Sequence, residues 1–242
     1  MLEPGDPSPT ALKLAPLDET DASFAVDYHM HTTYTDGAAS PAAMIETARA
    51  NGIDDVMVTD HARQDSTYLP DLAREIGGVE YAGIAVHLGV EVKVLDVDGR
   101  LDCTSGIAES CEAIVGSVHR FPDGRGGVLD WSDMDGAEAL ATEFELAMAI
   151  ATKSQAHILG HPMGMAVSRF GLEPLDQLYR LAVACRESGR AFELNSRYCS
   201  NTEGWLEVAR SAGCRVSFGS DAHDTAGVGG AWRRFALEPR DG

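Results

Sequence analysis

The chain places histidine and carboxylate side chains at intervals that suit metal binding. His29 and His31 stand two residues apart, and Asp221 and His223 repeat the spacing near the other end. Side chains along an extended strand alternate with period two, so each pair presents both members on one face. Asp36, followed by Gly37, lies on a turn just after His31, close enough in sequence for its carboxylate to return to the same place. His61 follows Asp60, and Glu91, His119 and His161 occur singly further along. Imidazole and carboxylate together, without cysteine, form a donor set for zinc, manganese or iron. Each fragment alone has an ordinary alternative. His-x-His occurs on many strands, Gly160-His161-Pro162 reads equally as a strand end with a turn, and Thr59-Asp60-His61 reads as a helix cap.

What binds the fragments together is their position on the predicted elements. Runs rich in Val, Ile and Phe, bounded by Gly, Asp or Ser, predict strands over 24–29, 55–59, 84–94, 113–119, 157–161, 191–195 and 215–220. Helical patterns separate most of them. Ser40-Pro41 starts one that Gly52 closes, and residues 134–153 and 172–187 are amphipathic, the latter closed by Gly189. Ser200 and Glu203 have capping-box spacing before a helix that ends at Gly213. Strands alternating with helices predict parallel pairing, in a barrel or an open α/β sheet. On this layout six of the eight histidines fall at strand ends, with Glu91 and Asp221 beside them. The carboxyl ends of the strands form the face where α/β barrels carry their active sites. His87 and His157 stand four residues before Glu91 and His161, toward the strand starts, and are expected to be core or supporting residues.

The bulk properties narrow the function. Of 242 residues, 19 are Lys or Arg and 38 are Asp or Glu, a formal charge of −19. No run of basic residues interrupts that acidity, so a nucleic-acid backbone would be repelled. Five cysteines, an odd number with no C-x-x-C, point to reduced thiols and a cytoplasmic setting. No apolar stretch of about 18 residues predicts a membrane helix, and the start of the chain lacks the basic and apolar regions of a secretory signal. Residues 1–22 carry Pro4, Pro7, Pro9 and Pro16 and are expected to form a flexible leader packing over a single domain, residues 23–242. The stretch after Thr225 is left unassigned, and a monomer is expected.

The ordered segments Asp27-Tyr28-His29-Met30-His31-Thr32, Thr35-Asp36-Gly37, Val58-Thr59-Asp60-His61, Gly89-Val90-Glu91, Gly116-Ser117-Val118-His119, Leu159-Gly160-His161-Pro162 and Gly219-Ser220-Asp221-Ala222-His223 resemble the motifs of the polymerase and histidinol phosphatase (PHP) superfamily. The resemblance implies a distorted seven-stranded TIM-like (β/α) barrel, two or three divalent metals and phosphoester hydrolysis. Carried over residue by residue, it implies that His29, His31, Glu91 and Asp221 hold a first metal. Glu91 would bridge to a second, completed by His119 and His161, and Asp36, His61 and His223 would hold a third. Asp60 would then orient a ligand from behind.

Three divalent ions outweigh three carboxylates, so such a cluster suits a phosphate dianion, and a hydroxide activated by the metals would be the nucleophile. Arg63, Arg120, Arg169 and Arg197 each follow a strand on the same rim, and guanidinium suits phosphate oxygens. Arg63, Arg169 and Arg197 are taken as candidate substrate contacts. Glu193 and Asn195 share a face of the sixth strand, where they line the pocket or anchor the strand. The expected activity is hydrolysis of a small phosphate monoester such as histidinol phosphate. A phosphodiesterase or 3′–5′ nuclease on the same cluster is the alternative.

Overall fold

The computed structural model describes residues 12–20, 24–79, 81–123, 127–130 and 133–235. A mostly parallel sheet runs through the middle of the molecule. Its strands are β1 (Ala15–Pro16), β2 (Val26–Asp27), β3 (Asp55–Val58), β4 (His61–Ala62), β5 (Ala85–Lys93), β6 (Ala113–Ser117), β7 (Ile158–Leu159), β8 (Ala191–Asn195) and β9 (Arg215–Gly219). The pairing order is β1-β9-β8-β7-β6-β5-β3-β2, with β4 beside β5, and every pair except β1–β9 is parallel. Beyond β2 the ladder continues onto β9. Tyr28 N–H donates to the Phe218 carbonyl, Asp221 N–H to that of His29 and His31 N–H to that of Ala222, each at 2.8 Å. These bonds tie the first parallel strand to the last, so the His-x-His and Asp-x-His segments lie side by side.

Helices fill the crossovers that parallel pairing requires: α1 (Pro41–Ala50), α2 (Leu69–Gly77), α3 (Ser105–Glu109), α4 (Gly136–Lys153), α5 (Gly164–Phe170), α6 (Leu175–Ser188), α7 (Thr202–Ala212) and α8 (Gly230–Phe235). Their ends follow local chemistry. The Ser40 hydroxyl accepts from Ala43 N–H at the start of α1. Asp135 and Glu138 form a reciprocal capping box on α4. On α7 the cap is Asn201, whose side chain accepts from Gly204 N–H, one residue later than the Ser200–Glu203 spacing suggests. A side-chain cap of this kind contributes about 1 kcal/mol.

The core lies between sheet and helices. Tyr28, Met30, Phe192, Phe218 and Trp205 are among its largest fully buried side chains. Tyr28 and Met30 alternate with His29 and His31, and all four are buried, so one short segment supplies packing on one face and chemistry on the other. Asp27, also buried, accepts from Ser220 N–H at 2.9 Å and Gly229 N–H at 2.7 Å, joining β2 to the ends of β9 and the approach to α8. Burial pushes the Asp27 carboxyl above the usual range in spite of those bonds.

Of the expected leader, residues 12–20 are described. Ala15 and Pro16 pair antiparallel with Val216 and Arg215. Leu12 and Leu17 are buried, Lys13 N–H donates to the Tyr28 hydroxyl at 2.9 Å, and Lys13 Nζ meets Asp54 at 2.9 Å. The rest of that segment lies outside the described residues. The unassigned stretch after Thr225 contains α8, whose Trp232 and Phe235 pack on Phe218.

At the opposite end of the strands, His87 is held between two carboxylates, 3.0 Å from Asp55 and 2.7 Å from Glu112. The close pairing with Asp55, with the hydrogen bond to Glu112, raises its pKa to about 9 against the opposing effect of burial. A raised folded-state pKa stabilises the fold fully below the unfolded value near 6.5 and loses that contribution as pH rises through about 9. His87→Gln should therefore be more destabilising, relative to the parent chain, at pH 6 than at pH 9.5. Urea denaturation at the two values measures this, and an equal loss at both would show that the imidazolium charge has no part in stability.

Candidate metal centre

Each strand end delivers its residue to one point. Glu91, near the end of β5 and 1 % exposed, is the centre. Its Oε1 lies 2.9 Å from His119 Nε2, 2.9 Å from His161 Nε2 and 3.4 Å from His29 Nε2. Its Oε2 lies 3.0 Å from His61 Nδ1 and 3.4 Å from His31 Nε2. Asp221 Oδ1 stands 3.1 Å from His31 Nε2 and 3.7 Å from His29 Nε2. Asp36 Oδ2 lies 3.4 Å from both His61 Nε2 and His223 Nε2. Three sets of ligand atoms gather within 4.8 Å of one another: His29, His31 and Glu91; His61, Glu91 and His119; and His31, Asp36, His61 and His223. His61 and His31 thus each belong to two sets, a sharing that strand-by-strand reading does not reveal.

This donor set fits divalent ions. A carboxylate offers about four lone-pair sites, yet five imidazole nitrogens face Glu91. They cannot all be N–H donors to it. The His119 and His161 Nε2 atoms also face each other at 3.3 Å, and His29 Nε2 is buried without a hydrogen-bond partner. Cations placed among lone pairs resolve all three features. The electrostatics divide the imidazoles, with His61 and His161 raised by Glu91 against burial. Burial favours the neutral form of every group here. On His31 and His119 it prevails and lowers the pKa, leaving the neutral imidazole a metal accepts. On His29 the Glu193 and Glu91 carboxylates overcome burial and raise it. Glu91 and Asp221 are held well below the usual carboxylate range despite burial, Glu91 chiefly by His119 and His29, Asp221 chiefly by His31.

A layer of supporting residues fixes the donors. Glu193 on β8 receives His29 Nδ1 on one oxygen at 2.7 Å and His161 N–H on the other, so the face it shares with Asn195 turns toward the cluster. Gly219 on the adjacent strand makes room for it, since a Cβ there would occupy the Glu193 carboxylate. Asp60 accepts from Thr32 N–H at 2.9 Å, the Thr32 hydroxyl at 2.6 Å and the Thr35 hydroxyl at 2.5 Å. It therefore braces the loop that carries Asp36 and touches no imidazole. Gly37 lets that loop double back, for a Cβ there would strike the His31 carbonyl.

His161 and Asp221 have positive φ, 23° and 50°, as does Met163 at 62°. Such backbone strain persists only where its surroundings hold it. Around His161 two carboxylates do so. Glu193 takes the His161 N–H, and Glu143, buried on α4, accepts from Met165 N–H at 2.9 Å and Ala166 N–H at 2.6 Å. The helix α5 has no side-chain cap of its own, and Glu143 supplies one from a neighbouring helix. Burial pushes the Glu143 carboxyl up to about 7. His157, by contrast, accepts from Ile114 N–H at 3.0 Å near the start of β7, far from the cluster in the role expected for it.

Above the cluster opens a cavity of about 360 Å³, lined by Asp36, Glu91, Asp221 and several histidines below and by Arg63, Lys93, Arg120, Arg197 and Tyr198 around it. Arg197 Nη1 donates to the Asp221 carbonyl at 3.2 Å and lies 2.8 Å from His223 Nδ1. Arg169 does not line this cavity. The loop after His161 folds into α5, and that helix carries Arg169 on its exposed side. Lys93 and Tyr198 are additions. Lys93 could have been found from its place two residues after Glu91 on the same strand face. Tyr198, whose ring lies 4.9 Å from that of His161, carries no spacing signal.

A buried His/Asp/Glu cluster on the carboxyl ends of a parallel α/β sheet defines a metal-binding class of barrel-like proteins. The chain belongs to the PHP domain family, whose model matches residues 27–197. It is 28 % identical over 212 residues to the DNA polymerase/3′–5′ exonuclease PolX of Bacillus subtilis, a match covering 82 % of this chain and 34 % of that protein. It is 27 % identical over 227 residues to a protein of Enterobacter sp. (strain 638) described as a probable phosphatase, covering 85 % and 81 %. The chain therefore spans about a third of the polymerase and four-fifths of the second relative. Among solved structures, the histidinol phosphate phosphatase of Lactococcus lactis, complexed with zinc, L-histidinol and phosphate, superposes with a TM-score of 0.66 at 18 % identity, covering 83 % and 87 %.

Because Glu193 accepts two hydrogen bonds through two oxygens, glutamine can replace only one of them. Glu193→Gln should weaken metal binding by about 10–100-fold, the range for partners that orient a ligand, and leave the far-ultraviolet circular dichroism unchanged. Competition with a chromophoric chelator measures the affinity. Unaltered affinity would reduce Glu193 to a strand anchor.

Proposed function

We propose that the chain is a metal-dependent phosphoester hydrolase acting on a small phosphate monoester. The observation that carries this reading is the convergence of five imidazole nitrogens on the Glu91 carboxylate beneath a cavity rimmed by arginines and a lysine. Two or three ions of zinc, manganese or iron would be held by His29, His31, Glu91 and Asp221, by Glu91, His119 and His161, and by Asp36, His61 and His223. Bound divalent ions supply Lewis-acid charge at phosphoryl oxygen and bring the pKa of water near neutrality. The protein's own part is positional. Glu193 and Glu143 hold His29 and the His161 turn, Asp60 holds the Asp36 loop, and Arg197 aims a planar donor over Asp221, where a phosphate oxygen can accept it. The phosphatase relative and the Lactococcus complex support the monoester reading.

A second reading, hydrolysis of a phosphodiester or of a DNA 3′ end, has the likeness to PolX in its favour. The formal charge of −19 weighs against a polyanionic substrate. No helix among the described residues is long and apolar enough to cross a membrane, and the five cysteines are free thiols, which fits work in a reducing cytoplasm.

Metal analysis paired with a substrate panel tests the proposal. Two or three transition-metal ions per chain, with turnover of p-nitrophenyl phosphate far above that of its bis ester and of single-stranded DNA, is the expected result. Asp221→Ala should reduce that turnover by at least about 100-fold. Diester or DNA turnover alone would favour the second reading, and failure to retain any metal after reconstitution would remove the hydrolase altogether.

A further inference from the structure

The cations around the cluster cavity do not all face the metals. Arg197 touches Asp221 and the His223 ring, so it serves the phosphate at the cluster. Lys93 and Arg120 instead line two cavities at once. The second, about 500 Å³, lies beside the first and is lined by Val94, Leu95, Val97, Pro122 and Val128 together with Arg100 and Asp96. Lys93 follows Glu91 by two residues on the same face of β5, which puts its Cα roughly 7 Å further toward solvent. Its Nζ lies 3.2 Å from Asp102, and the Arg100 guanidinium lies 3.0 Å from Asp96. Arg120 has no ion-pair or hydrogen-bond partner among the described residues, and neither does the Arg63 side chain across the cavity.

Positive groups gathered here are notable in a chain with a formal charge of −19. In the second cavity Lys93, Arg100 and Arg120 outnumber the one carboxylate of its lining, Asp96, and an excess of one sign of charge in a cleft concentrates ligands of the other. An alcohol half bearing an ammonium or imidazolium, as in histidinol phosphate, would meet repulsion where the two cavities join.

We propose that the substrate carries a second anionic group, a phosphate or a carboxylate on its alcohol half, seated between Lys93 and Arg120 where the cluster cavity opens into its neighbour. The scissile phosphate occupies the cluster, the second anion pairs with Arg120 and Lys93, and the carbon skeleton lies toward Val94, Leu95 and Pro122. The inference rests on the phosphomonoesterase reading and adds to it the class of alcohol.

Two matched pairs test it with the metal-loaded full chain. Glycerol 3-phosphate and 3-phosphoglycerate differ by a carboxylate, and fructose 1-phosphate and fructose 1,6-bisphosphate by a second phosphate. In at least one pair kcat/KM should favour the doubly anionic member by about tenfold or more, mainly through KM, as expected for a charge-assisted contact. The pair that responds identifies the anion. L-histidinol phosphate should fall below the doubly anionic member of the pair that responds. Arg120→Glu should abolish the preference, lowering kcat/KM for the doubly anionic member by about tenfold more than for the singly phosphorylated one. Equal values within both pairs, or an equal loss on both members in Arg120→Glu, would overturn the inference. Turnover of p-nitrophenyl phosphate in the same preparation separates that failure from failure of the phosphomonoesterase reading, in which no monoester is hydrolysed.

Discussion

One negative charge organises the site. Glu91 sits at the centre of five imidazoles, and an unpaired carboxylate buried to that depth costs several kcal/mol. Everything around it answers that constraint. The imidazoles arrive from different strands because no single strand can present more than two side chains to one point at period two. Parallel pairing then supplies the layout, since it sets every carboxyl end on one face. The seam between Tyr28–His31 and Phe218–Ala222 brings the first and last of these strands together. Without the seam, Asp221 and His223 would have no fixed relation to His29 and His31.

The supporting residues show how the donors are kept from relaxing away. Glu193, Glu143 and Asp60 are all acidic and all buried or nearly so, yet each receives donors from the backbone or from a ring rather than facing the cavity. Their carboxylates are spent on orientation. Two of them bracket the one turn, from His161 to Ala166, where two residues with side chains adopt positive φ. Proline after His161 disfavours a helical conformation there, so the turn cannot be absorbed into α5 and must be held from outside.

The strand positions and the gathering of histidines at their ends were legible in the sequence, because hydrophobic runs and the candidate ligand pairs obey the same period. Glu91 and His119 could be placed from pattern alone. The details that depend on three-dimensional packing were not. The two-residue strand β4 and the seven-residue helix α5 are too short to leave a periodic trace. Arg169 was drawn into the candidate site because its loop follows His161, and only the formation of α5 turns it away. Tyr198 enters through a ring contact with a residue 37 positions earlier, which no local spacing encodes. Glu143, in the middle of an amphipathic helix, looks like any solvent-facing acid until α5 is seen to start on it. The pairing of Ala15–Pro16 with β9 was likewise hidden, since the prolines of that region read as a loose segment.

The seam has a consequence for how the chain assembles. Asp27 and Ser220, bonded across it, are 193 residues apart in sequence, so this junction closes one of the longest loops in the fold and pays its entropy late. His29 and His31 lie on one side of it and Asp221 and His223 on the other. An ion shared by those residues would fasten, from the side-chain face, a seam that backbone hydrogen bonds already close.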